Sequence, residues 1–267
     1  MNAWRTAIVN ADTTSIRVRG FDVRELMQHA GFVDVVFLLH RGRLPAAGER
    51  RLLDAILVGV ADHGPGSPSA AAARIAASGN RQAKSAAVAA GLLAIGDEHG
   101  GAGEILMQLI VDQLDARTRT GGLETVEQAA RRTVEEAKRD GVRLPGLGHR
   151  SHSVDPRVSV LFDLAKDAGI SGDGIRFVRA LETAAAELIK PLPINIDGAL
   201  AAVLHDLSFP PSAGKFMFII GRVAGLTAEV AEEYAREKPM RVQIPVTYDG
   251  EAARPLPASR ASSRKKD

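Results

Sequence analysis

Apolar residues recur every three or four positions along most of this 267-residue chain, and that spacing places them on one face of an α-helix. Two segments show the pattern most clearly, at Leu52, Leu53, Ile56, Leu57 and Val60, and at Phe216, Ile219, Ile220, Val223, Leu226 and Val230. Strand and helix patterns do not alternate, so the sequence predicts an all-α fold. Residues 15–23 are an exception, because they alternate around Gly20 and predict a short extended piece with a turn.

Turn-rich breaks divide the helical pattern. The predicted helices occupy residues 22–41, 52–63, 70–77, 84–95, 105–114, 123–139, 158–168, 175–189, 198–207 and 215–238. Residues 70–77 and 84–95 are rich in alanine, which suits close packing in the interior or at a subunit interface. The chain becomes irregular after Pro239, and residues 251–267 are expected to form a disordered basic tail.

The composition of the chain and the motifs it lacks exclude several classes of function. The chain has no cysteine, so disulfides, thiolate metal sites and cysteine nucleophiles are excluded. It shows no HExxH motif, His/Cys cluster or P-loop, so no metal or nucleotide hydrolysis is expected. No apolar run and no signal pattern indicate a membrane or secretion, so the expected compartment is the cytoplasm. The net charge is +2 and part of the basic excess lies in the tail, so no nucleic-acid partner is expected.

Four loops place a titratable side chain beside glycines and next to an apolar helix, and they carry His63, His99, His149 and Asp197. Loops on a rigid helical scaffold commonly carry catalytic groups. His99, in GDEHGGAGE just before a predicted helix, could stay neutral and donate a hydrogen bond to a carbonyl that becomes an enolate. It could equally be an exposed histidine at a glycine-rich helix entry.

The other polar candidates also have two interpretations each. His149 could act as a general acid or base, and Arg150 and Arg157 could bind carboxylates or phosphates, unless the whole segment is a solvated basic loop. Asp197 could cap a helix starting at Gly198, or serve as a base beside a thioester, or do both. Arg222 lies on an apolar helix face, where it requires an anion. That anion is either Asp206 or Glu229 within the chain, or a substrate carboxylate.

Taken together, the loops resemble the citrate synthase superfamily over residues 16–250. The motifs are RGFDVREL, HGPGSPSA, HGGAGE, GLGHR followed by VDPR, NIDG, and GRVAGL followed by PMR. Their order over most of the chain makes the resemblance specific. ADHGP, GLLAIGD and KPLPINIDG look most like stand-alone citryl-CoA lyases and the citryl-CoA-cleaving module of ATP-citrate lyase.

The resemblance implies a helical homodimer, or a tetramer of two dimers, in which each chain has a large and a small domain. Residues 1–103 and 213–250 would form the large domain, and residues 104–212 the small one. It also implies that the chain needs no bound cofactor and acts on a coenzyme A thioester and a di- or tricarboxylate.

The same resemblance assigns roles to individual residues. The catalytic residues would be His99, His149 and Asp197. The substrate's carboxylates would be bound by His63, Arg157, Arg222 and, from the other subunit, Arg241; Ser69 would orient His99, and Arg150 would lie near coenzyme A. Glu229 stands where the family often has histidine, and it is expected to change the charge of the site.

The function expected from the resemblance is cleavage of citryl-CoA, or of a related hydroxyacyl-CoA, to acetyl-CoA and oxaloacetate. The first alternative is a citrate synthase that condenses these two products. The short chain favours the lyase, because typical synthases carry additional N-terminal helices, while His99 is present as it is in synthases. The second alternative is a non-catalytic protein that binds coenzyme A esters, which would be expected to lack one of the three catalytic residues.

Overall fold

A computed structural model describes residues 3–119, 124–148 and 154–255, apart from the side chains at positions 117 and 119. Within these residues the fold is built from eleven helices. They are α1 (Val23–His29), α2 (Phe32–Arg41), α3 (Ala47–Val60), α4 (Pro68–Gly79), α5 (Lys84–Leu93), α6 (Ala102–Arg119), α7 (Val126–Asp140), α8 (Pro156–Asp167), α9 (Asp173–Leu188), α10 (Ile196–Asp206) and α11 (Ala213–Arg236). The predicted all-α class is therefore confirmed.

A small antiparallel sheet precedes the helices in the chain. Its strands are β1 (Val9–Ala11), β2 (Ile16–Val18) and β3 (Phe21–Asp22), in the order β1-β2-β3. The predicted turn at Gly20 joins β2 to β3, where Val18 pairs with Phe21. β1 was not predicted from the sequence, because its three residues are all exposed and show no buried face.

Helix boundaries differ from the predicted ones where side chains cap the ends. α3 begins at Ala47, five residues before the predicted start, because the Glu49 side chain accepts a hydrogen bond from the Ala46 amide. The run predicted for residues 22–41 is two helices, since the chain is extended at Ala30 and Gly31. None of the described helices is both long enough and apolar enough to cross a membrane.

Helix α10 lies at the centre of the molecule and packs against α6, α8, α9 and α11. Six consecutive residues, Ala199 to Leu204, have no exposed surface. A helix that is apolar on every side has to be surrounded by others, and its alanines allow the neighbours to come close. The buried position of α10 fixes the place of its first turn, which carries Asp197.

Helix α11 lies against α3, α4, α5 and α6. Two of its glycines, Gly221 and Gly225, touch backbone atoms of Leu57 and Ala61, where any side chain would collide. This close contact brings the loop after α3, including His63, next to Arg222 on α11. The division into a large and a small domain stays a prediction.

Candidate active site

Five of the predicted site residues line one cavity of about 700 Å³: His63, His99, Arg157, Asp197 and Arg222. This volume is in the range of pockets that bind small molecules. The first turns of α4, α6, α8 and α10 all contribute to its wall. Helix N-termini carry a partial positive charge, so the cavity is suited to an anionic ligand.

The loop that carries His99 is fixed by its backbone. Gly96 and His99 exchange two backbone hydrogen bonds of 3.0 Å, which close a tight turn before α6. Gly100 has a φ of +81°, and a Cβ there would lie 2.5 Å from the Phe218 ring. Only glycine meets both conditions. The His99 ring packs edge-on against the same Phe218 ring, with 5.8 Å between centroids.

Ser69, the second residue of α4, determines which nitrogen of His99 carries hydrogen. Its backbone N–H donates to His99 Nε2 at 3.3 Å, and its Oγ lies 2.9 Å from the same nitrogen. Arg222 Nη1 donates to that Oγ at 3.1 Å, which leaves the hydroxyl hydrogen to be donated to His99. Two donors on Nε2 require a lone pair there, so the hydrogen of the neutral ring is assigned to Nδ1.

Arg222 is 2% exposed and is held by groups that carry no charge. Its Nε donates to the Val60 carbonyl at 2.9 Å, and its guanidinium lies over the Phe218 ring at 4.8 Å. Burial lowers the pKa of Arg222, while the nearby Asp62 and Asp197 raise it. Because no ion pair with another described residue satisfies this buried cation, it is placed to bind an anion in the cavity.

The two internal partners suggested for Arg222 are engaged elsewhere. Asp206 accepts hydrogen bonds from the amides of Gly172, Gly174 and Ile175 and thereby caps α9. Glu229 forms an ion pair with Arg74 on α4. The expectation that Glu229 changes the charge of the site is therefore wrong, because its carboxylate is neutralised outside the cavity.

Asp197 is the second residue of α10 and not its N-cap, which corrects the helix start predicted at Gly198. Asn195 is the cap, and its Oδ1 accepts from the amides of Asp197 and Gly198 at 2.9 and 3.1 Å. Asp197 Oδ1 is buried and has no hydrogen-bond partner within the part of the chain that the structure describes. Burial raises the pKa of Asp197 to about 6, although Arg157 and Arg222 act in the opposite direction.

Arg157 is held by Asp155, a residue that the sequence analysis did not single out. Asp155 accepts from Arg157 Nε at 2.9 Å and from Nη2 at 2.8 Å, and its side chain is completely buried. Burial alone would raise the pKa of Asp155, but the hydrogen bonds from Arg157 outweigh it and keep the pKa below its usual value. Asp155 also accepts from the Ile196 amide at 2.9 Å, so it joins the starts of α8 and α10.

Two features of the sequence indicate Asp155 and Asn195, which the sequence analysis did not single out. Asp155 precedes a proline at the first position of α8, which is a common arrangement for an N-cap. Asn195 precedes α10 and is also a typical N-cap. Neither signal reveals the long-range partners, because Ile196 is 41 residues from Asp155 and Gly148 is 47 residues from Asn195.

The segment before His149 is bound to the segment before α10. Gly148 donates its amide to the Pro193 carbonyl at 2.7 Å and accepts from Asn195 Nδ2 at 2.7 Å. Gly146, with a φ of +74°, lies against the backbone of Gly198. The residues that lead into His149 therefore lie on the cavity wall. His149 and Arg150 themselves lie outside the described residues.

His63 lies on the cavity wall in the loop after α3. Asp62 Oδ1 accepts from the amides of His63 and Gly64, which turns the chain at this point. Ser67 is the cap residue of α4, and its Oγ donates to the Gly64 carbonyl at 3.0 Å. The loop is thus shaped by local hydrogen bonds on both sides of the histidine.

Arg241 does not line the cavity of its own chain. Its Nε and Nη2 donate to Glu233 at 2.9 and 2.6 Å, and Glu233 also accepts from Arg74 at 3.0 Å. The carboxylate of Glu233 is buried between the two arginines. This ion-pair network fixes the PMR segment against α11 and α4.

Comparison with known proteins matches the same region. A family model described as citrate synthase, C-terminal domain, covers residues 45–243. The structure of citryl-CoA lyase from Hydrogenobacter thermophilus superposes with a TM-score of 0.86 and 34% sequence identity, over 97% of this chain and 100% of that one. The family match includes every cavity residue described above.

Two further proteins are more distant. ATP citrate lyase from Methanothrix soehngenii, solved in complex with citrate and coenzyme A, has the same fold, with a TM-score of 0.75 and 22% identity over 94% of this chain and 42% of that one. Citrate synthase from Helicobacter pylori is 29% identical over 198 residues, which are 69% of this chain and 43% of that enzyme. The chain thus spans less than half the length of this synthase.

Proposed function

Since the chain belongs to the citrate synthase family, we propose that it cleaves citryl-CoA, or a closely related hydroxyacyl-CoA, to acetyl-CoA and oxaloacetate. The observation that carries the proposal is the Asp197 carboxylate, which faces a cavity with an unpaired buried oxygen and a pKa of about 6. A carboxyl group with that pKa exchanges protons readily near neutral pH. A carboxyl group whose only task was to cap a helix would be hydrogen-bonded and more acidic.

Binding of the substrate uses the positive groups of the wall. Arg157, Arg222 and His63 bind the carboxylates of the citryl group, because these side chains converge on one cavity that four helix N-termini also face. Arg157 keeps its bond to Asp155, so its position is set before the substrate arrives. Arg222, which has no ion pair with the described residues, gains one from the ligand, and this favours a ligand with at least two carboxylates.

Cleavage proceeds in two proton transfers. His149 removes the hydroxyl proton of the citryl group, and the carbon–carbon bond then breaks to give oxaloacetate and the enolate of acetyl-CoA. His99 donates its Nδ1 hydrogen to the thioester oxygen as that oxygen gains charge. Asp197, in its protonated form, delivers a proton to the terminal carbon and becomes a carboxylate.

The lyase is favoured over a synthase by the extent of the similarity. The chain is 34% identical to the Hydrogenobacter thermophilus citryl-CoA lyase with 97% of its length covered, but 29% identical to the Helicobacter pylori citrate synthase with 69% of its length covered. His99 supports enol chemistry in either direction, so it does not separate the two. The non-catalytic alternative loses support, because His99 and Asp197 both line the cavity and His149 is present in the sequence.

A reaction assay in both directions separates the three functions. Purified protein is given citryl-CoA in one tube, and acetyl-CoA with oxaloacetate in another, and the products are measured by mass spectrometry. The lyase produces acetyl-CoA in the first tube above the spontaneous rate, and Asp197→Ala abolishes it. Citrate and free coenzyme A in the second tube would identify a synthase, and binding without products in either would identify a non-catalytic protein.

The homodimer is part of the proposal, with Arg241 acting in the site of the partner. Arg241→Ala and Asp197→Ala should each inactivate the protein. After the two variants exchange subunits, half of the dimers are mixed and each mixed dimer has one intact site, so about a quarter of the original activity should return. Demonstrated exchange without recovery would place Arg241 in its own chain's site or outside catalysis.

A further inference from the structure

The first turn of α10 has no free amide donor. Ile196 N–H donates to Asp155 Oδ2 at 2.9 Å, and the amides of Asp197 and Gly198 both donate to Asn195 Oδ1. Ala199 N–H donates to the Asn195 carbonyl at 3.0 Å, which begins the regular helical bonding. Helix starts normally leave several of these groups for water, ligands or nearby side chains. Here all of them are occupied by two residues outside the helix.

An aspartate in the first turn of a helix usually benefits from these donors. Its carboxylate accepts amide hydrogen bonds and is further stabilised by the helix dipole. Asp197 stands at the second position of α10, yet its Oδ1 is buried and accepts no hydrogen bond from residues 3–119, 124–148 or 154–255. The donors that would satisfy it are committed to Asp155 and Asn195.

We propose that Asp155 and Asn195 are positioning residues that occupy the amide donors of the first turn of α10 and thereby keep the Asp197 carboxylate unbound and able to transfer a proton. Asp155 comes from the start of α8 and Asn195 from the segment before α10, so the arrangement depends on how three parts of the chain meet. The inference depends on the proposed function in one respect only, namely that Asp197 gives its proton to the substrate during cleavage. The hydrogen bonding of Asp197 is a property of the free protein.

The charges around Asp197 do not explain its state by themselves. Arg157 from α8 and Arg222 from α11 favour its ionised form, and Asp155 opposes it. The other charged or titratable groups on the described cavity wall are His63, Asp97, Glu98, His99 and Arg143. Despite the two nearby arginines, burial without hydrogen bonds keeps the pKa of Asp197 near 6. Amide donors on the carboxylate would add to the arginines and make the group an ordinary acid.

Two substitutions at Asn195 separate the acceptor from its other contact. Asn195→Ala removes the acceptor for the amides of Asp197 and Gly198 and also the Nδ2 donor to Gly148. Asn195→Ser removes only the donor to Gly148, because serine is itself a good N-cap acceptor. A difference between these variants therefore reports on the amides alone. If Asn195→Ala does not fold, Asn195→Gly takes its place, since glycine is tolerated at a cap and also leaves the amides open.

The direct measurement is the titration of the Asp197 carboxyl carbon by NMR in ligand-free protein labelled with 13C-aspartate, with the signal assigned by its loss in Asp197→Asn. We expect a midpoint of about 6 in the wild type and in Asn195→Ser. In Asn195→Ala the midpoint should fall by about one unit or more, because Asp197 accepts the released amides. An unchanged midpoint in Asn195→Ala, or an equal fall in both variants, would overturn the inference.

Kinetics give a second readout. Cleavage needs protonated Asp197, so a fall of one unit in its pKa should reduce the cleavage rate at pH 7 about tenfold and move the alkaline limb of the pH profile to lower pH. A loss of activity caused only by a disturbed fold would leave the limb in place. If the NMR shift occurs but no variant, including the wild type, cleaves citryl-CoA, the proposed function fails and the inference stands.

Discussion

Replacing Asp197 with asparagine should stabilise the ligand-free protein at neutral pH while it abolishes cleavage. The folded protein has to hold a carboxylate in a place that favours the neutral acid, since burial raises the pKa of Asp197 from 3.8 to about 6. Asparagine has nearly the same shape and no charge. The substitution therefore removes the electrostatic destabilisation that the ionised Asp197 causes in the folded wild type.

The size of the effect follows from the pKa change. About two units, at 1.36 kcal/mol per unit, correspond to about 3 kcal/mol at pH 8. The sign is set by proton binding: between pH 4 and 6 the folded protein holds a proton on Asp197 that the unfolded chain has lost. The wild type thus loses stability as pH rises through this window, and the advantage of Asp197→Asn should shrink to roughly half at pH 5.

Urea denaturation at pH 8 and at pH 5 measures these differences. The matched control is Asp163→Asn, because Asp163 is an exposed aspartate on α8 and its loss should change stability little at either pH. A wild type that is as stable as Asp197→Asn at pH 8, or a difference that does not depend on pH, would refute the electrostatic account of this carboxyl group.

Three further substitutions test the surroundings of the catalytic groups. Ser69→Ala removes the hydroxyl between His99 and Arg222, and since hydrogen bonds to a charged group contribute about 1.5–3 kcal/mol, the free energy of unfolding should fall by about that amount in urea denaturation. The rate of citryl-CoA cleavage should also fall about tenfold to a hundredfold, because His99 loses the hydroxyl that orients it. Arg222→Lys cannot reach the Val60 carbonyl and the serine hydroxyl together, so kcat/KM for cleavage should fall at least about tenfold, and an unchanged value would mean that no substrate carboxylate binds there. Gly100→Ala places a Cβ against an aromatic ring at a positive φ, so it should lower the free energy of unfolding by about 1–3 kcal/mol in thermal or urea denaturation.

The helices could be predicted from the sequence because each has an apolar face of its own. Candidate site residues could be named from the sequence because polar groups beside glycines interrupt these faces. The order of these loops also resembles the citrate synthase family, and the family match confirms that resemblance. The assignment of His99, Asp197, His63, Arg157 and Arg222 to one cavity needed the fold. The spacing of apolar residues predicts helices, but it does not show which loops lie next to each other in the fold.

Pairing over long distances could not be predicted. A helix cap was one of the two roles considered for Asp197, whereas Asn195 caps the helix and Asp197 Oδ1 has no hydrogen-bond partner among the described residues. Asp155 gave a local signal for a cap, but its bond to the Ile196 amide depends on how α8 packs against α10. Glu229 was expected in the site and instead neutralises Arg74 on a neighbouring helix. In each case the residue type indicated what kind of bond the side chain could form, while tertiary packing determines its bonding partner.

The measurement that tests the proposed reaction most directly is cleavage of citryl-CoA in deuterated water, sampled at early times by mass spectrometry. If the bond breaks to an enolate that Asp197 protonates, newly formed acetyl-CoA carries one deuterium in its methyl group, and Asp197→Asn forms almost none. Acetyl-CoA without deuterium, or an equal rate in Asp197→Asn, would contradict proton delivery by this carboxyl group. Release of free coenzyme A and citrate without acetyl-CoA would contradict carbon–carbon cleavage itself.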